Sequence, residues 1–210
     1  PDRQMEACER LRASEPNLLA ARIGLATALY RAGRNERALE EHLRVLKALG
    51  LDQFIKFRQL RTNLYQLLVW HTTRLPTEQR DWSDVERLVD KIREIPDLDP
   101  VEASLLQADL MLKRGETAQA RQFLAEAEKK HPDNARLHSG LAALAASDDP
   151  QQALALLQPA KPSADTVELR LARANVAMRL GAERVAALLL QIEKDAGDLP
   201  QEQQIRLFQG

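Results

Sequence analysis

Apolar side chains recur along this 210-residue chain at intervals of three and four, the spacing that gathers them on one face of an α-helix. Leu18, Leu25 and Leu29 make one such face, and Ala38, Leu39, Leu43 and Leu46 make a second. The breaker segment Ala32-Gly33-Arg34-Asn35 lies between them and folds the pair into a helical hairpin. Two-residue alternation is absent, and glycine-rich hairpin signals are scarce, so the pattern predicts an all-α fold. Helix starts are marked by Ser83 with Glu86, Asp99 with Pro100 and Glu102, and Asp165 with Glu168. Each reads as an N-cap with an acid at the third helical position. Asp149-Pro150 reads as a further cap with proline in the first turn.

Gly33/Ala38, Gly115/Ala120 and Gly181/Ala186 repeat a glycine followed five positions later by an alanine. Glycine there can take a positive φ and end the first helix of a hairpin at little steric cost. The alanine fits a close crossing of the two helices, which a larger side chain would hold apart. Ala120, Ala153 and Ala186 stand 33 residues apart, near the period of about 34 of one helix-turn-helix repeat family. The interval from Ala38 to Ala120, 82 residues, is too long for two such repeats and too short for three.

These residues resemble the tetratricopeptide repeat family, whose pattern has a turn glycine, a small residue, an aromatic or apolar residue and a closing proline. Gly115, Ala120, Leu124, Ala127 and Pro132 fit best, with Ala108 and Met111 where the family has glycine and tyrosine. Gly33, Ala38, His42 and Val45 form an earlier copy without the proline. Asp148, Ala153 and Leu157, then Gly181, Ala186 and Leu190, form two later ones. The family's tryptophan is missing from all four, so the repeats are degenerate. The resemblance implies an α-solenoid of stacked antiparallel helical hairpins, wound as a right-handed superhelix.

The long interval is read as one atypical hairpin: an extended first helix from about Asp52 to Arg74, the turn LPTEQRDW, and a second helix from Ser83. Phe54, Phe57, Leu60, Leu64, Leu67 and His71 mark its expected buried stripe, and Val85, Val89 and Ile92 fill the repeat positions of the second helix. The competing reading is an inserted third helix between two repeat blocks. On the first reading, residues 1–210 form a single solenoid segment. Its parts are 1–16 as the second helix of a truncated repeat, 17–50 as a repeat, 51–98 as the long hairpin, 99–133, 134–164 and 165–198 as repeats, and 199–210 as the start of another. Met5, Cys8, Leu11 and Pro16 at one end, and PQEQQIRLF at the other, suit a piece of a longer array. Uncapped terminal repeats expose apolar surface, so self-association through the ends is expected.

Charge and composition narrow the function. Net charge is -1 with 29% charged residues, which supplies no overall field toward nucleic acid or anionic membranes. Aromatics are 4% of the chain, too sparse for a base-stacking platform, so no nucleic-acid partner is expected. The longest apolar runs, LLVW and AALLL, fall far short of the roughly 20 residues that span a bilayer. Cys8 is the single cysteine, which leaves the compartment, cytoplasmic or periplasmic, open. His42, His71, His131 and His138 lack metal-ligand spacing, and phosphate-loop and nucleophile-turn motifs are absent. Neither an enzyme nor a cofactor is expected. His42 and Cys8 read as packing residues, and the acids of DLDP and SDDP as helix caps.

The resemblance implies a concave groove lined by the first helix of each hairpin, taking a peptide or partner subunit. Its positions would be Ile23, Thr27, Tyr30 and Arg31, then Leu105, Asp109, Leu112 and Lys113, then His138 and Ala142, then Leu171, Asn175, Met178 and Arg179. Arg31, Lys113 and Arg179 share one repeat position and form a broken basic row suited to an acidic peptide, although cations near a helix C-terminus also suit the helix dipole. The chaperone-gripping members of the family use lysine and asparagine at set positions; Asn175 alone matches, so that activity is not carried over. The alternative is a structural spacer positioning other domains of a larger protein. The Arg-over-Lys and Ala/Leu bias fits a bacterial parent, such as an envelope or polysaccharide-export assembly.

Overall fold

Helix follows helix along the described residues, and no strand is found among them. The computed structural model describes residues 2–15, 18–95, 98–132, 134–146, 148–158 and 167–178. It divides into two compact units, Pro1–Leu98 and Asp99–Gly210. The first unit holds α1 (Asp2–Ser14), α2 (Leu19–Arg31), α3 (Asn35–Leu49), α4 (Leu51–Phe54), α5 (Arg58–Thr73) and α6 (Ser83–Arg93). The second holds α7 (Pro100–Lys113), α8 (Thr117–Lys130), α9 (Ala135–Ala145), α10 (Pro150–Leu156) and α11 (Val167–Ala177).

Two hairpin turns share one backbone solution. Gly33 takes φ 67° and Gly115 φ 84°, a left-handed conformation in which Cβ would be strained. Gly33 N–H donates to Tyr30 O at 3.0 Å and Arg34 N–H to Leu29 O at 3.0 Å. Gly115 and Glu116 repeat this with Leu112 O and Met111 O, both at 2.9 Å. These are Schellman closures, which satisfy the last carbonyls of α2 and α7 while reversing the chain. Five residues past each glycine, Ala38 and Ala120 are wholly buried, as is Ala153.

Within each unit the hairpins stack. In the first, α2 packs on α3, and α5 lies against both. In the second, α9 lies against both α7 and α8, and α11 against both α9 and α10. α5, α9 and α11 are thus each seated on the two helices of the hairpin before them, so within each unit the core is built of local clusters. One such cluster joins Val101, Ala108, Ala120, Leu124, Ala127, Leu137 and Leu141. Burying each leucine contributes about 1.5 to 3 kcal/mol. The approach is close where side chains are missing: a Cβ on Gly140 would lie 3.2 Å from methyl carbons of both Leu105 and Leu124, and one on Gly24 would lie 2.9 Å from Cys8 Sγ.

Several expectations are corrected. The single helix expected over 52–74 is two helices, broken at Ile55, Lys56 and Phe57. No proline or glycine marks the break. The buried Arg61 guanidinium donates from Nη1 to Ile55 O at 3.0 Å, satisfying a carbonyl that a continuous helix would have used internally. Phe57 occupies the extended N-cap position of α5 and is 49% exposed. The stripe of α5 runs through Leu60, Leu64 and Leu67 and closes on buried Thr72, which leaves the expected His71 exposed. Leu43 is also exposed, because His42, about 100° round the helix, takes the inward position.

Caps at Asp99 and Asp149 are as expected: Asp99 accepts from Val101 N–H, and Asp149 from Gln151 and Gln152 N–H. Ser83 is not a cap. Asp81 Oδ1 accepts from Ser83 N–H at 2.9 Å instead, and the backbone and hydroxyl of Ser83 hold the Asp81 carboxyl below its usual range. Asn134, unmarked in the sequence reading, caps α9 through Arg136 and Leu137 N–H. The start signal at Asp165, the turn at Gly181 with Ala186, and the segment 199–210 lie outside the described residues.

Candidate functional site

The sequence pattern places Ile23, Thr27, Tyr30 and Arg31 along one side of α2, where the first three are half-buried and Arg31 is exposed. α5 packs against this helix and α3. The three elements leave an open cleft of about 410 Å³ lined by Tyr30, Arg31, Asn35, Gln66, Leu67 and Trp70. Tyr30 and Arg31 come from the last turn of α2, Asn35 from the first residue of α3, Gln66 and Leu67 from the middle of α5, and Trp70 from its last turn. Leu67 is buried and forms the floor side of α5, whereas Gln66 is exposed and Trp70 half-buried.

The electrostatics beside the cleft are ordered. The Arg74 guanidinium lies 4.8 Å from the centroid of the Trp70 ring, a cation–π contact, and its Nη1 pairs with Glu36 Oε1 at 2.6 Å. That hydrogen bond from Arg74 is the main reason the Glu36 carboxyl is held below its usual range. Arg74 is thereby neutralised. Arg31 carries the one formal charge among the six lining side chains.

A second charged cluster fastens the first unit together. Glu41 on α3 is buried, its Oε1 accepting from Arg12 Nη1 of α1 at 2.8 Å and from Arg44 Nη1 at 2.5 Å. Arg22 Nη1 of α2 stands 3.8 Å from Oε2. One carboxylate therefore ties three helices. Beside it His42 is fully buried, with Nδ1 2.7 Å from Ala38 O and Nε2 without a hydrogen-bond partner among the described residues. Burial pushes the His42 imidazole below its usual range, only partly opposed by the Ala38 carbonyl. Cys8 is half-buried against Gly24.

In the second unit the expected groove positions among the described residues have these surroundings. Leu105 and Leu112 pack against the core cluster of that unit. Asp109 and Lys113 are one helical turn apart with carboxylate and ammonium 3.9 Å from each other. His138 Nε2 lies 2.8 Å from Pro132 O and 3.6 Å from Glu128 Oε1, so its ring is engaged locally. Ala142 is 1% exposed within a core cluster and offers no surface; as a groove position it is corrected. Leu171 is half-buried, Asn175 exposed and Met178 61% exposed. Arg179 lies outside the described residues. Asn35, Gln66 and Trp70 were not anticipated as site residues. The i, i+4 relation of Gln66 and Trp70, which puts them on one face of α5, is the signal that would have found those two.

Among the described residues no group of three or more His, Cys, Asp and Glu could hold a metal, and no helix is long and apolar enough to cross a membrane. No family model and no curated protein matches the chain. A crystal structure of a tetratricopeptide repeat protein from Parabacteroides merdae ATCC 43184 is 19% identical over 98% of this chain and 90% of that one, with a TM-score of 0.43. The stacked-hairpin description rests on this chain's own helix packing.

Proposed function

We propose that this chain is a non-catalytic scaffold of degenerate tetratricopeptide-type repeats that holds a peptide or partner subunit against the first helices of its hairpins. The observation that carries this reading is the cleft between α2, α3 and α5. It is lined by two residues expected from the repeat register, Tyr30 and Arg31, and by side chains that no core packing requires to be polar. Open clefts with aromatic walls and a few convergent polar groups are the common form of a recognition site, and repeat arrays use such faces for extended ligands.

A photo-reactive amino acid placed at Gln66 in the full chain tests this. In lysate of the source organism it should capture a discrete protein that the same group at exposed Lys47 on α3 does not. Equal capture, or none, at both positions would leave the spacer as the better description and set the interaction reading aside.

A further inference from the structure

The chemistry of this cleft points to the kind of partner, an inference that rests on the scaffold reading just given. Among the described residues the Arg31 guanidinium makes no ion pair, and the Tyr30 hydroxyl and the Asn35 and Gln66 amides make no hydrogen bond. Four polar side chains thus converge on one open space without engaging each other. Several other arginines of this unit are committed: Arg12 and Arg44 to Glu41, Arg37 to Glu9, and Arg74 to Glu36. Arg34, in the turn after α2, likewise makes no ion pair among the described residues but does not line the cleft. Arg31 borders no acidic lining residue, and the carboxylate nearest in sequence, Glu36, is occupied by Arg74.

We propose that the Tyr30–Arg31–Asn35–Gln66–Trp70 cleft takes an acidic peptide segment of a protein partner. A planar guanidinium with free N–H groups accepts a carboxylate in a two-bond fork. The Asn35 and Gln66 amides each offer donors and an acceptor, which matches the N–H and C=O groups of an extended peptide backbone on either side of that carboxylate. The Tyr30 and Trp70 rings supply apolar walls with a polar edge, the combination enriched where peptides are gripped. A basic peptide would bring a second cation to Arg31 with no acid in the lining to answer it. Of the basic row expected from the repeats, Arg31 lines this cleft, Lys113 faces Asp109, and Arg179 lies outside the described residues.

The test is affinity selection of a phage-displayed library of random short peptides on the full chain, followed by titration of the selected peptides by fluorescence anisotropy. Arg31 is exposed, so Arg31→Glu is expected to keep the parent circular dichroism spectrum. The selected peptides should be enriched in Asp and Glu. Arg31→Glu should weaken them by about tenfold or more, changing their acid to Gln should do the same, and Gln66→Arg should tighten them. Selected peptides without acidic enrichment, bound equally by Arg31→Glu, would overturn the acidic-segment proposal and leave the scaffold reading standing. Acidic peptides whose binding neither Arg31→Glu nor Gln66→Arg changes would place the site elsewhere and overturn it too. A concentration-dependent dimer dissolved by Arg31→Glu would make the occupant a second copy of this chain. Failure to select any peptide would count against both proposals.

Discussion

Glu41→Gln should destabilise the first unit by about 2 kcal/mol. The substitution keeps the side chain's shape and removes its charge at a site where the carboxylate is 4% exposed. Hydrogen bonds to charged groups contribute about 1.5 to 3 kcal/mol and neutral ones about 0.5 to 1.5. The loss is therefore roughly 1 to 1.5 kcal/mol for a well-shielded bond. Arg12, 34% exposed and 2.8 Å away, supplies most of it. Arg44 is 51% exposed, and solvent screening limits its share to under about 1 kcal/mol. Arg22, 27% exposed and 3.8 Å away, would then face an amide instead of a charge.

Both tryptophans, Trp70 and Trp82, lie in the first unit. Urea unfolding followed by tryptophan fluorescence thus reports the unit that contains Glu41, without assuming that the whole chain unfolds in one step. The fluorescence midpoint should fall with the slope unchanged. In a double-mutant cycle with Arg12→Gln, the two losses should fall short of additivity by about 1 kcal/mol, as for groups in direct contact. A Glu41→Gln midpoint equal to the parent's, or additivity within about 0.5 kcal/mol, would refute the idea that this carboxylate fastens α1 and α2 to α3.

Ala120→Trp places a large ring where the side chain is wholly buried between α7 and α8; a loss of about 1 to 3 kcal/mol or more is expected from overpacking, seen as faster amide exchange across 117–130, and unchanged exchange would contradict the hairpin register. Asp99→Ala removes the acceptor of Val101 N–H at 2.9 Å and should cost about 1 kcal/mol, with faster exchange in the first turn of α7 as the measurement. His42 adds a pH dependence. Burial holds its folded-state value below the ordinary 6.5, so between the two values the unfolded chain binds more protons and stability falls as pH falls below about 6.5. Its contribution is complete above that pH and has a slope of at most about 1.4 kcal/mol per pH unit. Fluorescence-detected unfolding of the parent and His42→Met at pH 7.5 and 5.5 should show a smaller pH effect in the variant, and equal effects would refute the assignment.

What could be read from the chain was whatever short-range chemistry decides. The glycines at 33 and 115 announce Schellman turns because only a residue without Cβ enters that conformation cheaply, and Asp99 and Asp149 announce caps because their partners lie two or three residues on. Ala38, Ala120 and Ala153 could be placed inside because small residues recur where helices cross. The break before α5 was illegible for the opposite reason. No local breaker stands there, and the Ile55 carbonyl that the break frees is satisfied by a buried arginine six residues away. The capping pattern at Ser83 with Glu86 misled because Asp81, two residues earlier, bonds the backbone in its place.

The cleft shows where pattern reading stops. Repeat register named Tyr30 and Arg31, which line the cleft, because each occupies a position defined within its own hairpin. It could not find Gln66 or Trp70, which reach the same space from a helix whose start is shifted by that break. Had α5 continued α4 as one helix from residue 52, the 100° advance per residue would have run unbroken through residues 55 to 57, and Phe54 and Phe57 would have shared one stripe with Leu60, Leu64 and Leu67. Instead Phe54 is buried, Phe57 turns outward, and α5 begins afresh with Leu60, Leu64 and Leu67 inward. Gln66 and Trp70 then flank buried Leu67 at the mouth beside Arg31. The Arg61–Ile55 bond is thus a positioning device for the cleft as much as a repair of the broken helix.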